Sequence, residues 1–402
     1  MATCRHVNGR FFPHRPHPIL DQMLKVFAVA GFTSLVSMRL CDAMVPALAN
    51  AFTVPTNEAA TVISSFAITY GLMQLVYGPL GDRYGKARVI TWVCALCTLA
   101  ALAAALAPTL QTLAWARAAM GAGAAGIVPL ALAWIGDTVP LAQRQVVIAR
   151  YSAATISGIM IGVWFGGSLT EFAGWQAPFW VVGLMFMVVT LILWRKARGL
   201  TEAPAPRLPY WRQVRDLFAS PWSKWIYGSV CLEGMLVFGS LAMLPTALYG
   251  LFNLPGSKSG GIVALFGVGG LVWSRVAGLI LHRVKLSTIA RASGCVLALA
   301  FGLLAWLPDW TWAIVACALV GFGFYPFHST LLHNATQLSE SRGLAVSMFG
   351  CMLFIGQSIG VGLAAFIFSR LEPAWFFGLA ASALLLMSWV VALQLDKRSL
   401  HS

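Results

Sequence analysis

The sequence predicts an all-α membrane protein with twelve transmembrane helices arranged as two pseudo-symmetric bundles of six. Three observations carry this prediction: the composition, the number of long apolar segments and an internal repeat. Of the 402 residues, 59% are hydrophobic and 10% are charged, whereas about a quarter of the residues in a soluble chain are charged. Such a chain cannot cover its surface with polar groups, so we expect most of that surface to face lipid.

Twelve apolar segments are long enough to cross a bilayer as helices, which takes about 20 residues each. The runs are too long for barrel strands of about 10 residues and lack a two-residue polar alternation, so they are predicted to be helices. Span 1 is also too long for the apolar region of a signal peptide, and we expect it to be retained. The approximate cores of spans 1 to 12 are 26–50, 58–80, 89–107, 111–135, 145–170, 176–194, 225–250, 260–281, 288–307, 311–337, 343–369 and 374–394.

The distribution of charge predicts the orientation of the chain. The net charge is +14, and 22 of the 27 Lys and Arg residues fall in the tails and loops on the side of the N-terminus. The loops on the opposite side carry Lys258 and Arg370. Because basic residues accumulate in cytoplasmic loops, we expect both termini in the cytoplasm and the protein in the plasma membrane of a bacterium. The basic loops then face lipid head groups, and no nucleic-acid partner is expected.

An internal repeat divides the chain near its midpoint. AMVPALA at 43–49 matches AMLPTAL at 242–248, an offset of about 200 residues. Internal repeats are typical of secondary transporters, whose site lies between the repeats. A Pro-rich, charged segment between the halves predicts a linker with a short interfacial helix around 211–218. The predicted divisions are a cytoplasmic tail at 1–24, a six-helix bundle at 25–195, a cytoplasmic linker at 196–222, a second six-helix bundle at 223–395 and a cytoplasmic tail at 396–402.

A charged stretch, GPLGDRYGKAR at 78–88, separates the apolar runs of spans 2 and 3. In this stretch the chain resembles the major facilitator superfamily, whose signature at this loop reads roughly G-x-L-x-D-R-x-G-[RK]-[RK], with Ala87 here at the last basic position. Arg117, followed by glycines in span 4, is similar to the motif of proton-coupled members. Span 5 resembles the glycine-rich motif of drug–proton antiporters, although the Gly-Pro pair of that motif is absent. The resemblance covers the whole chain and is nearest to the twelve-span drug and sugar efflux type.

The resemblance implies a role for the charged turn. In the family such a cluster pairs with acidic groups on neighbouring helix ends and latches the outward-open state. The alternative is a membrane anchor without a gating role. The glycines of the stretch permit the tight turn that either role needs. The candidate members of this conformational gate are Gly78, Asp82, Arg83, Gly85, Lys86, Asp137 and Arg144.

The resemblance also implies a central cavity lined by spans 1, 4, 7 and 10. A proline in each of these spans can kink the helix and free a carbonyl group. Depth along the chain places Arg39 near mid-membrane and Asp42 of span 1 at a level similar to Arg117 of span 4, and Arg39 and Asp42 share a helix face. Because a charge at the centre of a span costs at least about 2.5–3.5 kcal/mol, each is a functional candidate. The four prolines are Pro46, Pro129, Pro245 and Pro326.

We expect Arg39, Asp42 and Arg117 to form one cluster in which Asp42 binds and releases the coupled proton. The alternative is a permanent ion-pair lock between spans 1 and 4. Two arginines against one carboxylate favour an anionic or electron-rich substrate, because a guanidinium binds carboxylate or phosphate bidentately.

The second half supplies the other candidates. Glu233 of span 7 and Arg275 of span 8 are expected either to form a structural pair or to leave Glu233 as a second proton carrier. His328 of span 10, with Tyr325 one turn before it, either titrates near neutral pH or is held by a hydrogen bond. The predicted proton-coupling residues are Asp42, Arg117 and Glu233, and the predicted cavity residues are Arg39, Asp42, Arg117, Glu233, Tyr325 and His328.

Other functional classes find little support in the sequence. It has no Walker loop, HExxH or GxSxG motif, so we expect neither an enzyme nor an ATP-driven pump. The CxxC at 94–97 lies inside span 3, and its cysteines are expected to be apolar fillers. No cofactor is expected, and a copper transporter using Met348, Cys351 and Met352 as soft ligands is a minor alternative. A sensor that does not transport is another.

These observations predict a secondary active transporter that works by alternating access. The first expectation is proton-coupled export of a small organic or amphipathic compound by a monomer in the membrane. The alternative is proton-coupled uptake of a small organic anion. Glycine-rich span 5 favours export, whereas the arginines of the expected cavity favour an anion.

Overall fold

The computed structural model describes residues 18–197, 210–218, 220–281, 283–338 and 342–399, and almost all of this described chain is helical. Eleven helices are long and apolar enough to span a membrane. The remaining span is the first, which is broken in its middle. The predicted all-α membrane fold with twelve spans is confirmed.

The spans have the following bounds. The first half consists of Pro18–Arg39 with Val45–Phe52 (span 1), Thr56–Ala59 with Thr61–Tyr84 (span 2), Lys86–Ala105 (span 3), Leu110–Ala124 with Ile127–Thr138 (span 4), Leu141–Ala173 (span 5) and Ala177–Ala197 (span 6). The second half consists of Pro221–Glu233, the π-helical Gly234–Phe238 and Gly239–Phe252 (span 7), Gly256–Leu281 (span 8), Leu286–Trp306 (span 9), Trp312–Thr336 (span 10), Arg342–Phe368 (span 11) and Pro373–Ser399 (span 12). A short helix, Tyr210–Leu217, lies between the halves at the position predicted for an interfacial helix.

Successive spans alternate in direction, which gives the bundle two sides. We call the side that carries Pro18, Tyr84 and Ser399 the tail side, and the side that carries Phe52 and Ala173 the far side. On the far side, span 1 ends at Thr53 and span 7 ends at Asn253, each in the left-handed conformation, with φ of 55° and 51°. The two caps are 200 residues apart, as the repeat predicts.

The four prolines predicted to kink cavity spans have different local effects. In spans 1 and 4 the helix is broken before the proline, at Leu40–Met44 and at Ala125–Gly126. A proline is tolerated in the first turn of a helix because the N–H that it lacks would have no intrahelical acceptor. Pro245 and Pro326, in contrast, lie inside continuous helices. Span 7 departs from α-helical geometry earlier, in the π-helical turn that follows Glu233.

The two halves meet along two seams. At the first, spans 2 and 11 exchange hydrogen bonds, because Ser358 Oγ donates to the Ser64 carbonyl at 3.0 Å and Ser64 Oγ donates to the Ser358 carbonyl at 3.3 Å. At the second, spans 5 and 8 approach so closely that a Cβ atom on Gly167 would overlap the carbonyl oxygen of Gly256. Small residues permit this approach of two backbones, as is common between membrane helices.

Contacts between the halves concentrate on the far side. The seam of spans 5 and 8 includes Gly167 against Gly256 at the far side and, deeper in the bundle, Met160 against Gly267. The tail-side helices of spans 4 and 7, Ile127–Thr138 and Pro221–Glu233, pack chiefly against helices of their own half. The bundle is therefore closed on the far side and opens toward the tail side.

Candidate functional site

Span 1 loses its helical structure where it carries two charges. The helix Pro18–Arg39 ends at Arg39, residues 40–44 form a turn, and Val45–Phe52 resumes the span. This break brings Asp42 back toward Arg39, with Arg39 Nη1 3.1 Å from Asp42 Oδ2. Both side chains are buried, with exposed fractions of 1% and 0%. The expected contact between Arg39 and Asp42 is present.

This ion pair depends on charge attraction more than on hydrogen bonds. Neither carboxylate oxygen of Asp42 makes a hydrogen bond of good geometry to the described residues, and the same holds for Nε and Nη1 of Arg39. Burying both ions carries a desolvation cost that their attraction must offset. A proton on Asp42 would remove that attraction, so the pair has two charge states of very different internal energy.

Arg117 is also buried but is held by backbone groups. Its Nη1 donates to the Ser37 carbonyl at 2.8 Å and its Nε to the Val62 carbonyl at 3.3 Å. Ser37 lies in the last turn of Pro18–Arg39, where carbonyl groups have no intrahelical donor. The guanidinium also lies 4.2 Å from the centroid of the Phe66 ring.

The expected three-residue cluster is therefore only partly formed. Among the ion pairs of the described residues, Asp42 pairs with Arg39 and not with Arg117. Arg117 joins spans 1, 2 and 4 through their backbone.

The second half holds a second buried carboxylate. Glu233 Oε2 lies 3.0 Å from His328 Nδ1, and the side chains of Glu233 and His328 are 0% and 21% exposed. Glu233 is the last residue before the π-helical turn Gly234–Phe238. A π-helical turn of this kind is frequent at functional sites.

The expected pair of Glu233 with Arg275 is wrong. Arg275 is exposed on span 8, and Glu233 contacts His328 instead. Counting residues from the ends of two spans gives similar depths but no information on the direction in which each side chain points. Of the two alternatives for His328, the structure shows the one in which a hydrogen bond holds the ring, with Glu233 as the partner.

Phe238 links the two ion pairs across the interface between the halves. The Arg39 guanidinium of the first half lies 5.5 Å from the centroid of the Phe238 ring in the second half. The Phe238 ring meets Phe324 edge-on at 5.1 Å, and Phe324 lies 4.7 Å from the His328 ring. A continuous set of contacts thus runs from Asp42 through Arg39, Phe238 and Phe324 to the Glu233–His328 pair.

Other aromatic rings surround this path. Tyr325 stacks on Phe266 at a centroid distance of 5.5 Å, and Phe349 lies edge-on to His328 at 4.9 Å. Tyr325 also meets the Phe324 ring edge-on at 5.4 Å. The predicted cavity residues of spans 1, 7 and 10 therefore surround one buried, aromatic region between the halves.

The sequence prediction missed the phenylalanines of this region. Phe324 could have been found, because it precedes His328 by four residues and so shares its helix face. Phe238 could not, because the π-helical turn changes the direction in which span 7 presents its side chains after Glu233.

The charged turn between spans 2 and 3 is compact. Gly85 has φ of 90°, a conformation that only glycine adopts readily, and it separates Tyr84 from Lys86. Lys86 Nζ lies 2.7 Å from Asp137 Oδ2 of span 4 and 3.4 Å from Asp82 Oδ1. Arg83 lies over the Tyr84 ring.

Two further gate candidates behave differently. Arg144 does not join the cluster of Lys86, Asp82 and Asp137, and donates instead to the Val139 carbonyl at 3.3 Å. Gly78 has open space where a Cβ atom would be. All described contacts of the Lys86 cluster lie within the first half.

A metal centre is not indicated by the described residues, which contain no group of three or more His, Cys, Asp or Glu side chains that could hold a metal ion. The central region places two carboxylates, an imidazole and a guanidinium beside aromatic rings. Carboxylates are groups through which a protein can exchange protons.

Comparison with known proteins gives a consistent family assignment. A family model described as Major Facilitator Superfamily matches residues 27–343. An uncharacterised MFS-type transporter, YceJ of Bacillus subtilis, is 22% identical over 342 residues, which cover 83% of this chain and 86% of that protein. A lincomycin resistance protein of Streptomyces lincolnensis is 28% identical over 170 residues, 42% of this chain and 34% of that protein.

Solved structures share the fold. The POT family transporter PepTSo superposes with a TM-score of 0.78 at 13% identity, over 94% of this chain and 98% of that chain. A bacterial homologue of the human lysosomal transporter Spinster, in an inward-facing and occupied conformation, gives a TM-score of 0.72 at 16% identity over 95% and 97% of the two chains.

Proposed function

Because this chain belongs to the major facilitator superfamily, and is thus a multi-pass membrane transporter and not an enzyme, we propose that it exports a small organic or amphipathic compound in exchange for protons. One observation carries the proposal: a buried Arg39–Asp42 pair lies between the halves and touches the second half through Phe238. A change in the charge of a carboxylate in that place can affect contacts in both halves. The halves would then rock about a central site, as alternating access requires.

The mechanism would use the two charge states of Asp42. When the carboxylate is charged, it holds Arg39 at the break of span 1. When it is protonated, Arg39 loses its counter-ion and becomes available to the substrate. Glu233, held by His328, is the second proposed proton carrier, and Arg117 the residue that fixes the backbone around Asp42.

The proposed orientation places the tail side in the cytoplasm. The described bundle is then open to the cytoplasm and closed to the outside. The distribution of basic residues supports this orientation, and so does the likeness to a structure in the inward-facing state. The plasma membrane of a bacterium fits the bacterial relative YceJ.

Export is supported by a relative whose name is a lincomycin resistance protein. The substrate of that protein is not carried over to this chain beyond the class of small organic compounds. The second candidate function is proton-coupled uptake of a small organic anion. Its support is the guanidinium of Arg39, whose Nε and Nη1 have no hydrogen bond of good geometry to the described residues.

The first experiment identifies a ligand. The melting temperature of the purified protein is measured with compounds sorted by charge, at two pH values, because a ligand that binds the folded state raises it by mass action. Stabilisation by anions and not by cations would favour the uptake function. Stabilisation by lipophilic cations or neutral drugs would favour export.

The second experiment tests the coupling. Transport of the ligand so found is measured in proteoliposomes for the wild type, Asp42→Asn and the control Asp309→Asn, at several values of the pH gradient. We expect Asp42→Asn to lose the dependence on the gradient and to keep downhill exchange, while the exposed loop variant behaves as the wild type. A gradient dependence that survives in Asp42→Asn removes Asp42 from the coupling.

A further inference from the structure

A pocket of about 290 Å³ lies on the far side, between the two halves. The first half contributes residues of spans 1 and 5, and the second half contributes residues of span 7 and the start of span 8. None of these residues belongs to the central aromatic region. Because both halves form its walls, the pocket exists only while the bundle is closed on the far side.

The polar groups of the pocket include one carboxylate and several amides and hydroxyls that can accept hydrogen bonds. Glu171 places a carboxylate at its edge, with Oε1 accepting a hydrogen bond from the Ser257 N–H at 2.9 Å. Asn50 and Asn253 contribute side-chain amides. Thr170 Oγ1 is buried and has no hydrogen-bond partner among the described residues.

The helix ends add to the negative character of the pocket. Val45–Phe52 and Gly239–Phe252 both end here, and the C-terminal end of a helix carries about half a negative charge. Span 8 begins here with the opposite partial charge, which the Glu171 carboxylate offsets. The neighbouring cation, Lys258, is exposed and is not part of the pocket wall.

Apart from Tyr249 and Ser259, the rest of the wall is apolar. Pro46 and Ala47 of span 1 lie opposite Pro245 and Leu254 of the second half. A single carboxylate among such groups is a poor site for a metal ion, which needs several ligands. It suits an organic cation that presents N–H donors at one end and a short alkyl chain at the other.

We propose that this far-side pocket binds a small organic ammonium ion, and that the bound ion holds the two halves closed on the far side. The N–H groups bind the Glu171 carboxylate and the amide oxygens of the asparagines. The alkyl chain lies against the two prolines. An ammonium ion outside the cell would therefore slow the return to the outward-open state without entering the transport path.

The experiment uses the purified full-length protein and n-butylammonium as the probe, with n-butanol and butyrate as matched controls for size and charge. We expect butylammonium to raise the melting temperature by about 1–3 °C at about ten times its Kd, and the controls to leave it unchanged. An equal effect of butanol, or no effect of butylammonium, overturns the proposal.

One pair of variants locates the site. Glu171→Gln keeps an acceptor for Ser257 but removes the charge, and we expect butylammonium to bind it about tenfold more weakly. Glu372→Gln, an exposed far-side residue outside the pocket, should bind as the wild type does. If the two variants bind butylammonium with equal affinity, the Glu171 carboxylate is not part of the binding site.

The link to conformation needs a separate variant. A Cβ atom on Gly260, which is not in the pocket wall, would press against the Val163 carbonyl across the seam. Gly260→Ala should open the far side and abolish the effect of butylammonium. Spin labels at Phe172 and Leu251, both exposed on the far side, should show that butylammonium shortens their distance in the wild type. An unchanged distance despite a raised melting temperature refutes the closing role while leaving the binding site.

Discussion

Arg39 is the residue at which the halves and their charges meet. Its guanidinium pairs with Asp42 of its own half and lies over Phe238 of the other half. A cation–aromatic contact shielded from water is worth about 2 kcal/mol. Breaking a buried ion pair costs more, about 3–5 kcal/mol. The charge of Asp42 therefore dominates the position of Arg39, and Phe238 responds to it.

We predict that Phe238→Leu uncouples the halves. The ring contact with Arg39 is lost, so the Glu233–His328 pair should no longer influence the pH at which transport is half-maximal. That pH should therefore shift relative to the wild type. Phe238→Tyr keeps the ring and should keep the wild-type profile. The measurement is transport against pH for both variants, with melting temperatures to check folding.

A matched control is Phe376→Leu, which removes a fully buried ring in span 12. It should lower the melting temperature by a similar amount and leave the pH profile unchanged. If Phe376→Leu and Phe238→Leu shift the profile equally, the shift reflects lost stability and not the contact with Arg39.

At the residue scale the sequence identified the charged residues better than their partners. Arg39 and Asp42 were paired correctly because residues only three apart stay close in space, both in a helix and in the turn that span 1 forms here. Glu233 was paired wrongly because its partner lies on another span, where only depth can be counted. One acceptor of Arg117, the Ser37 carbonyl, is free because span 1 is broken nearby, a feature that charge patterns do not reveal.

Two neighbouring glycines of span 5, Gly166 and Gly167, pack against different halves of the molecule. A Cβ atom on Gly166 would overlap the Leu40 carbonyl, inside the first half. A Cβ atom on Gly167 would overlap Gly256, in the second half. The first contact exists in every conformation, whereas the second exists only when the far side is closed.

We therefore predict that Gly166→Ala lowers the stability of the protein, by about 1–3 kcal/mol, as overpacking does. Gly167→Ala should instead favour opening of the far side with little loss of stability. The measurement is labelling of Ala43→Cys, which is buried beside Gly167, by an impermeant maleimide in a variant without native cysteines. Faster labelling in Gly166→Ala than in Gly167→Ala would contradict this assignment.

The two far-side helix caps offer a stability test. Thr53 and Asn253 both adopt a left-handed conformation, which is unusual for a β-branched residue and common for Asn. Thr53→Gly should raise the free energy of unfolding by about 1 kcal/mol. Asn253→Gly should raise it less, because Asn tolerates this conformation. Thermal unfolding of the two variants compares them directly, and an equal or larger gain from Asn253→Gly counts against the strain at Thr53.

At the scale of elements, the sequence located the twelve spans because apolar length alone determines what can cross a bilayer. It anticipated irregular helices near the prolines of spans 1 and 4, whereas the helices of spans 7 and 10 continue through their prolines. It did not predict the π-helical turn of span 7, which contains no proline. Gly234 in that turn lies directly against the Leu353 carbonyl of span 11. The irregular turn therefore coincides with a close contact to a span that is distant in sequence.

The whole molecule is described in one of its two expected states. The Lys86 cluster at the tail side lies within the first half, where it connects the turn between spans 2 and 3 to span 4. In the state that is closed on the tail side, the same cluster would approach the second half. Its proposed gating role therefore belongs to the conformation that is not seen here.

We predict that Lys86→Gln changes the conformational equilibrium more than the stability. Asp82 and Asp137 are 51% and 61% exposed, and ion pairs of exposed groups are worth at most about 1 kcal/mol. The turnover rate should fall several-fold with little change in melting temperature. Lys25→Gln, which breaks another tail-side ion pair, with Asp21, is the matched control. Equal transport by both variants and the wild type would support the anchor alternative.

The composition and the repeat predicted the architecture of the whole molecule, since lipid-facing surface and duplication leave few other folds. The closed far side could not be predicted, because alternating states share one sequence and differ only in which ends of the same spans touch.

The reciprocal serine bonds between spans 2 and 11 limit how the molecule can move. Each hydroxyl reaches the carbonyl of the other serine, which fixes the axial register of the two helices. Vertical sliding of one half along the membrane normal would break both bonds and drive Gly71 out of its contact with the Cys351 backbone. Tilting about this line preserves them. The substrate is therefore expected to stay at constant depth in the membrane while the closed end of the bundle changes from one side to the other. It is not expected to be carried across on a moving half.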